Sequence, residues 1–217
     1  MTFLGYYRRP RSLEAKIERE GAVSRLMEIV SAPLEMLPTN VASTDIFEQT
    51  NITPNFGSDY YIVLTDSLED NPFMLDATLQ NIANKFREEY LNIEERAKAI
   101  YDWVIENTSY DRDYKKHKTP YRNSIEAFLH RKGLCGSLAY LYIAIARAAG
   151  LKAEYVHVRK DFQGKDVHHA CAAVHLGNRT VFVDLAYYTY DILHQDYKIL
   201  NDAESAEMYR KMRSYFK

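Results

Sequence analysis

Residues 130–150 read HRKGLCGSLAYLYIAIARAAG, and the change of pattern at the two ends of this stretch decides the fold. Gly133 and Gly136 bracket Cys135, one of only 2 cysteines in the 217-residue chain, just where an unbroken apolar segment begins. That segment has the length of a helix, and it stops at Gly150. Glycine is favoured just past a helix C-terminus because it enters the left-handed region without a Cβ clash. Beyond Gly150 the apolar period falls to two. KAEYVHVR (152–159), HHACAAVHL (168–176) and RTVFVDLA (179–186) therefore read as strands.

Working outward, a helix is expected over about 93–107, with Ala97, Ile100, Tyr101, Val104 and Ile105 on one face and Trp103 within it. Asn71-Pro72 is expected to open another that runs to about Tyr90, with proline at its first position. TSYDRDYKKHKTPYRN (108–123) reads as a charged loop whose Lys115-Lys116-His117-Lys118 run is a solvated turn. A short helix over about 124–131 leads into Gly133, and a last helix over about 202–215 follows Asn201-Asp202 as its cap. Near the N-terminus, 12–36 carries an imperfect helical stripe (Leu13, Ile17, Val23, Leu26, Ile29, Val30), ended by Pro33 and Pro38. Residues 38–58 are polar and turn-rich, and DYYIVLTD (59–66) reads as a short strand. Helices first and strands later give an α+β chain built on antiparallel hairpins. We divide it into a helical extension with its connection, 1–70, and a main domain, 71–217.

The turn Gly177-Asn178 suits a two-residue type II′ hairpin, and so short a loop fixes the register. Leu176 should face Arg179, Ala173 Phe182, Cys171 Asp184, and His169 Ala186. Because side chains alternate, His169, Cys171, Phe182 and Asp184 share one face. His169 and Asp184 are then diagonal neighbours, with Cβ atoms roughly 7 Å apart or less. His168 points to the other face, and His175 lies further along, opposite Thr180. The expectation fails if a β-bulge interrupts either strand.

A cysteine in the first turn of a helix meets unpaired backbone N–H groups and the positive end of the peptide dipoles. Both favour thiolate, the nucleophilic form, and the same N–H groups can hold an oxyanion. If the strand carrying His169 reaches that helix end, the imidazole can take the thiol proton and later protonate a leaving amine. Asp184 would fix its tautomer and support its cationic form. The candidate catalytic residues are thus Cys135, His169 and Asp184; substrate-binding residues are not readable. Cys171 is read as packing, with a reversible disulfide to Cys135 as the alternative. Cys135, His169, Cys171 and His175 could offer a zinc set, but close paired ligands such as C-x-x-C are lacking. No metal and no cofactor is expected.

Composition bounds the function classes. Hydrophobic residues make up 47% and charged residues 27%, with a formal net charge of −2, which speaks against a nucleic-acid binder. The first 20 residues, MTFLGYYRRPRSLEAKIERE, lack the apolar run of a secretory signal, and acidic residues arrive too early for an organelle presequence. No apolar run approaches the roughly 18 residues of a membrane span. Two cysteines fit a reducing compartment, so a cytoplasmic location is expected. Asn51-Ile-Thr, Asn107-Thr-Ser and Asn178-Arg-Thr match the glycosylation pattern only as short chance motifs. The 18 tyrosines suit a half-buried cleft as well as a core.

Taken together, RNSIEAFLHRKGLCGSLAYLYIAIARAAGLKAEYVHV, then HHACAAV, then RTVFVDLAYY resemble the core of the transglutaminase-like superfamily. The features are a Gly-x-Cys at a helix start, an Ala-Arg-x-x-Gly-type helix end, a His-Ala strand and a strand ending in Val-Asp. AIYDWVIENTSYD (99–111) is similar to the helix that leads to an aromatic residue before the cysteine in that family. The resemblance covers about 93–190. It implies a papain-like fold and a catalytic domain over 71–217, with Cys135 as nucleophile, His169 as base and Asp184 as orienting acid. Two positions depart from the pattern: Cys171 stands where tryptophan is usual, and Leu185 where proline commonly follows the aspartate.

The expected function is a thiol enzyme that attacks amide or peptide bonds through a Cys135 thioester, hydrolytic (peptidase or amidase), with a protein or peptide substrate and neither nucleic acid nor membrane as partner. Protein-glutamine transamidation uses the same triad. Arylamine-type acetyl transfer ranks lower, because Arg131-Lys132-Gly133 only partly echoes its arginine-glycine-glycine lead-in. A non-catalytic module binding protein or peptide through the same fold is the competing class.

Overall fold

The computed structural model describes residues 71–216. The expectations for 12–36, 38–58 and 59–66, and with them the 1–70 extension, lie outside the described residues. Within them, helices α1 (Ala77–Glu89) and α2 (Ile93–Asn107) come first. Next are strand β1 (Ser109–Tyr110), the single turn α3 (Tyr114–His117), α4 (Ser124–His130), β2 (Lys132–Gly133) and α5 (Cys135–Ala148). Strands β3 (Lys152–Lys160), β4 (Asp166–Leu176), β5 (Arg179–Asp184), β6 (Thr189–Tyr190) and β7 (Asp196–Leu200) follow, and α6 (Asp202–Tyr215) closes the chain. The architecture is α+β.

Five strands form one antiparallel sheet in the order β6-β5-β4-β3-β7. Helix α5 packs on β3 and β4 with one side and on α1, α2 and α4 with the others, which is why it is apolar almost all round. Tyr140 of α5 stacks on Tyr155 of β3 with ring centroids 4.7 Å apart, and meets Tyr209 of α6 edge-on at 5.7 Å. Much of the tyrosine content is thus core. The second face of the sheet is filled by Val156, Val158, Cys171, Ala173 and Phe182, with Val167, Ile192 and Ile199 against them.

Helix starts follow the sequence signals closely. Asn123 and Asn201 both form reciprocal capping boxes with a glutamate three residues on, Glu126 and Glu204. Residues 71–76 depart from expectation. Pro72 sits in a turn rather than at a first helical position, and its carbonyl accepts from Ser124 N–H, tying this turn to α4. Asp76, whose carboxylate takes Leu79 N–H at 2.7 Å, caps α1 instead.

The hairpin has the register that its turn dictates, from Leu176 opposite Arg179 through Ala173 opposite Phe182 to Ala172 opposite Val183. Gly177 has φ +65° and Asn178 is not in the left-handed region, the signature of type II′ rather than I′. A register shift does occur, but between β3 and its neighbours at Val158/Lys160, not between β4 and β5. Strand β5 stops at Asp184, two residues short of expectation, because its side chain accepts the N–H groups of Ala186 and Tyr187 and folds the chain into a turn. His169 and Ala186 are therefore not a ladder pair.

Among the described residues, no helix is long and apolar enough to cross a membrane.

Candidate active site

Cys135 is the first residue of α5, and the N-cap before it is Leu134, whose side chain cannot cap. The N–H groups of the first turn are left to whatever lies in front of them. Gly136 is required by packing: a Cβ there would lie 1.6 Å from the Tyr121 hydroxyl and 2.8 Å from that of Tyr155. Those two hydroxyls hydrogen-bond each other at 3.0 Å behind the helix start.

The segment before the cysteine is more than a solvated loop. Strands β1 and β2 pair in parallel, with Ser109 N–H donating to Arg131 O and Asp111 N–H to Gly133 O, both at 3.0 Å. Asp111 is buried, and its carboxylate is met by the Thr119 hydroxyl, by His117 Nδ1 at 2.9 Å and by Lys132 Nζ at 3.2 Å. Burial alone would raise its pKa, but those three donors prevail and hold it down at about 2. Arg122 N–H donates to Ser137 Oγ at 2.9 Å, and its guanidinium to Lys132 O, also at 2.9 Å. His117 and Lys132 thus balance a buried carboxylate, whereas Lys115, Lys116 and Lys118 are exposed as the charge run predicts. This clamp holds Tyr110 beside the cysteine. Burial first, then the nearness of Cys135, raises the Tyr110 hydroxyl well above the usual tyrosine range.

His169, on β4, and Asp184, at the end of β5, meet as diagonal neighbours with Nε2 to Oδ2 at 2.7 Å. The thiol of Cys135 lies close enough to the same imidazole to act on its ionisation. Since Nε2 is engaged with the carboxylate, Nδ1 is the nitrogen left for the sulfur. Burial acts to lower the His169 pKa, but the Asp184 charge and hydrogen bond, and then Cys135, outweigh it and hold the imidazolium well above the ordinary histidine range. For Asp184, fully buried, the desolvation penalty is overcome by His169, then by His194 and Tyr187 N–H, so its carboxyl sits well below the usual carboxylate range. The sequence-derived trio of Cys135, His169 and Asp184 is brought together.

The remaining candidates part company. Cys171 is 1% exposed among apolar neighbours, and burial, with the charges of Asp184 and Cys135, pushes its thiol up. Both thiols are free. His175 joins Glu154 at 2.5 Å and Thr180 at 2.9 Å, further along the ladder, so the set Cys135, His169, Cys171 and His175 does not assemble. His168 turns to the opposite face, its ring 5.0 Å from that of His157.

Two residues of the site escaped the sequence reading. Tyr187 lies flat on the His169 ring, with centroids 4.6 Å apart and planes at 14°, and donates its N–H to Asp184 Oδ1 at 2.9 Å. The aromatic ring against His169 is thus supplied from the turn after β5. His194 donates from Nε2 to Asp184 Oδ2 at 3.1 Å and is 1% exposed. The ligand-type atoms of His169, Asp184 and His194 lie within 4.8 Å of one another, and two imidazoles donating to one carboxylate oxygen account for that crowding. No periodic signal marks His194; a histidine in DILHQD has nothing to recommend it.

The family model for the transglutaminase-like superfamily matches residues 80–185, from within α1 to just past Asp184. The match takes in the helix start at Cys135 and the β4–β5 hairpin, while Tyr187 and His194 lie beyond it. No curated protein matches the chain. Among solved structures, it is similar to a "putative cysteine protease" from Cytophaga hutchinsonii, at 19% identity and TM-score 0.45, covering 78% of this chain and 54% of that one. The chain thus spans about half of that protein's length. Similar too are LapG of Legionella pneumophila, at 9% identity and TM-score 0.45 over 67% of this chain and 99% of that one, and a protein described as a TGase, at 17% identity and TM-score 0.38 over 82% and 41%.

Proposed function

We propose that this protein is a thiol-dependent hydrolase of amide or peptide bonds, acting on a protein or peptide substrate. One observation carries the reading: the His169 imidazole, hydrogen-bonded to the buried Asp184 carboxylate, lies near the Cys135 thiol at an uncapped helix N-terminus. In the proposed sequence, His169 Nδ1 takes the proton of Cys135, and the thiolate attacks the carbonyl carbon of the substrate amide. The oxygen that gains charge faces the free N–H groups of the first turn of α5. As the C–N bond breaks, the imidazolium returns its proton to the leaving amine, and a thioester to Cys135 remains. His169 then draws a proton from water, whose oxygen attacks the thioester; the acid departs and the thiol is restored. Asp184 keeps the proton on Nε2 and steadies the cationic ring throughout.

An amine in place of water would give transamidation by the same residues. Hydrolysis is preferred because water is always at hand, while a second substrate needs a site of its own.

The test is a peptide-library incubation read by mass spectrometry, comparing the full chain with Cys135→Ala. Cleavage or deamidation products that vanish with Cys135→Ala are expected, together with an acyl group trapped on the Cys135 peptide. Products that persist unchanged in Cys135→Ala overturn the mechanism. Coupled peptides with loss of ammonia would replace hydrolysis by transamidation, and a protein that retains peptides without altering them would make the fold a binding module.

A further inference from the structure

The proposed chemistry needs one histidine, yet two reach the same carboxylate oxygen. Asp184 is fully buried and makes four contacts: His169 and His194 donate to Oδ2, and the N–H groups of Ala186 and Tyr187 donate to Oδ1. His194 comes from the segment that returns after β6, not from the hairpin. To donate from Nε2 it must carry a proton there, and its other ring nitrogen is Nδ1. That atom is buried and has no hydrogen-bond partner among the described residues. A histidine held for shape alone would be an expensive choice here, since an unmet buried nitrogen costs free energy that phenylalanine or leucine would not. The orphaned Nδ1 is therefore informative: what retains the ring is the work done at Nε2.

We propose that His194 is a positioning residue, whose Nε2–H locks the Asp184 carboxylate toward His169 and moderates its basicity. The inference rests on the Cys135–His169–Asp184 reading above. With His194 in place, Oδ2 divides its accepting power between two N–H groups, and the carboxylate plane cannot turn away from His169. Without it, Asp184 keeps one imidazole partner, grows more basic, and binds the His169 imidazolium more strongly but in a less defined direction. Two effects follow. The pH at which the imidazolium gives up its proton rises, and turnover falls because the ring is aimed less well at the sulfur.

The groups that face this array are few. From β4 come His169 and Cys171; from the start of α5 comes Cys135; Tyr110 stands beside it on β1. From the turn after β5 comes Tyr187, whose ring centroid is 6.1 Å from that of His194 and whose hydroxyl donates to Asp161 at 3.4 Å. His169 and Cys135 already belong to the reacting pair, and Cys171, Tyr110 and Tyr187 all have their ionisation pushed up by burial first. A shift in the alkaline limb on changing His194 is accordingly read through Asp184 and His169.

The experiment uses the full chain and three forms: wild type, His194→Gln, which keeps a donor where Nε2 was, and His194→Phe, which fills the space without one. Iodoacetamide alkylation of Cys135 is followed across pH on the Cys135 peptide by mass spectrometry, alongside turnover of a peptide found by the library assay. His194→Phe should move the alkaline limb upward by on the order of one pH unit and lower turnover about ten- to a hundredfold. His194→Gln should restore both. Curves for His194→Phe that overlay the wild type overturn the proposal, as does a folded His194→Gln that behaves like the phenylalanine variant. Should His194→Phe not fold, nitrogen-15 histidine spectra of the wild type decide: a His194 proton on Nε2 supports the role, and one on Nδ1 excludes it. An ordinary thiol curve for wild-type Cys135 would instead bring down the underlying Cys–His reading, and this proposal with it.

Discussion

Asp184 is approached from two regions that reach it by different means. The β4–β5 hairpin delivers His169 by register: a two-residue turn, a ladder without a shift as far as Ala172 and Val183, and side-chain alternation beyond it set its face. The return segment, from Leu185 to β7, delivers Tyr187 and His194 by a run of turns, including left-handed residues at Tyr188 (φ +55°) and Asp191 (φ +63°). Neither residue belongs to a repeating pattern. One region works by period and the other by tertiary closure, yet each places an aromatic nitrogen or ring within contact of the same buried acid. Local rules can bring His169 to Asp184, while the surroundings of that pair depend on how the chain comes back.

The sharpest way to break the hairpin's contribution is Asp184→Asn. It keeps the shape but exchanges the anion for an amide that can present the wrong group to His169. Turnover should fall about a thousandfold to ten-thousandfold, measured with the peptide substrate of the library assay. The same substitution also changes the pH dependence of folding. Asp184 is held ionised in the folded chain well below the usual aspartate range, whereas the unfolded chain protonates it near about 3.9. Below that pH the unfolded state binds the extra proton, so this stabilisation is complete above it and drains away as pH falls toward the folded-state value. Denaturant unfolding from pH 5 downward should show a smaller acid loss in Asp184→Asn than in wild type; equal slopes would mean that the buried charge is not the source.

A milder challenge falls on the return segment. Tyr187→Ala removes the ring that lies on His169, a contact of the kind worth about 0.5–1.5 kcal/mol beyond its buried area. Turnover should drop about tenfold, since 1.4 kcal/mol is a factor of about ten, with the alkylation profile of Cys135 broadened. Tyr187→Phe, which loses only a 3.4 Å hydroxyl contact with Asp161, should stay close to wild type. If alanine and phenylalanine behave alike, the stacking is not what steadies His169.

The smallest effect is expected at the hairpin turn. A Cβ on Gly177 would meet nothing within 4 Å, so Gly177→Ala costs only the strain of φ +65°, about 1 kcal/mol by denaturant unfolding. The reactivity of Cys135 should not change. A large loss of thiol reactivity would show that the register is held by this turn alone rather than by the whole ladder.

Legibility along the chain follows the same divide. The α5 helix start, the hairpin and the cap at Asn201 could be read because each is a local rule acting over a few residues. The turn at Pro72 was not, since it forms to meet Ser124 of α4 rather than to begin a helix. Nor was the Asp111 clamp: His117, within a run of exposed lysines, and Lys132, beyond it, look solvated until the buried carboxylate that both contact is in view. Strands β6 and β7 went unread because two to five residues of mixed polarity make no period. They are strands because β5 and β3 have free edges to offer them.

By itself the sequence determined a cysteine at a helix start and a histidine and aspartate on one face of a ribbon, because helix ends and strand alternation are fixed by chain geometry at short range. Only the tertiary structure decided that the helix start bearing Cys135 comes close to His169, that Tyr187 covers the ring, and that His194 shares the acid. Those contacts join segments far apart in the chain. They are selected by which buried donors and acceptors can be satisfied together, a condition that no short stretch can express.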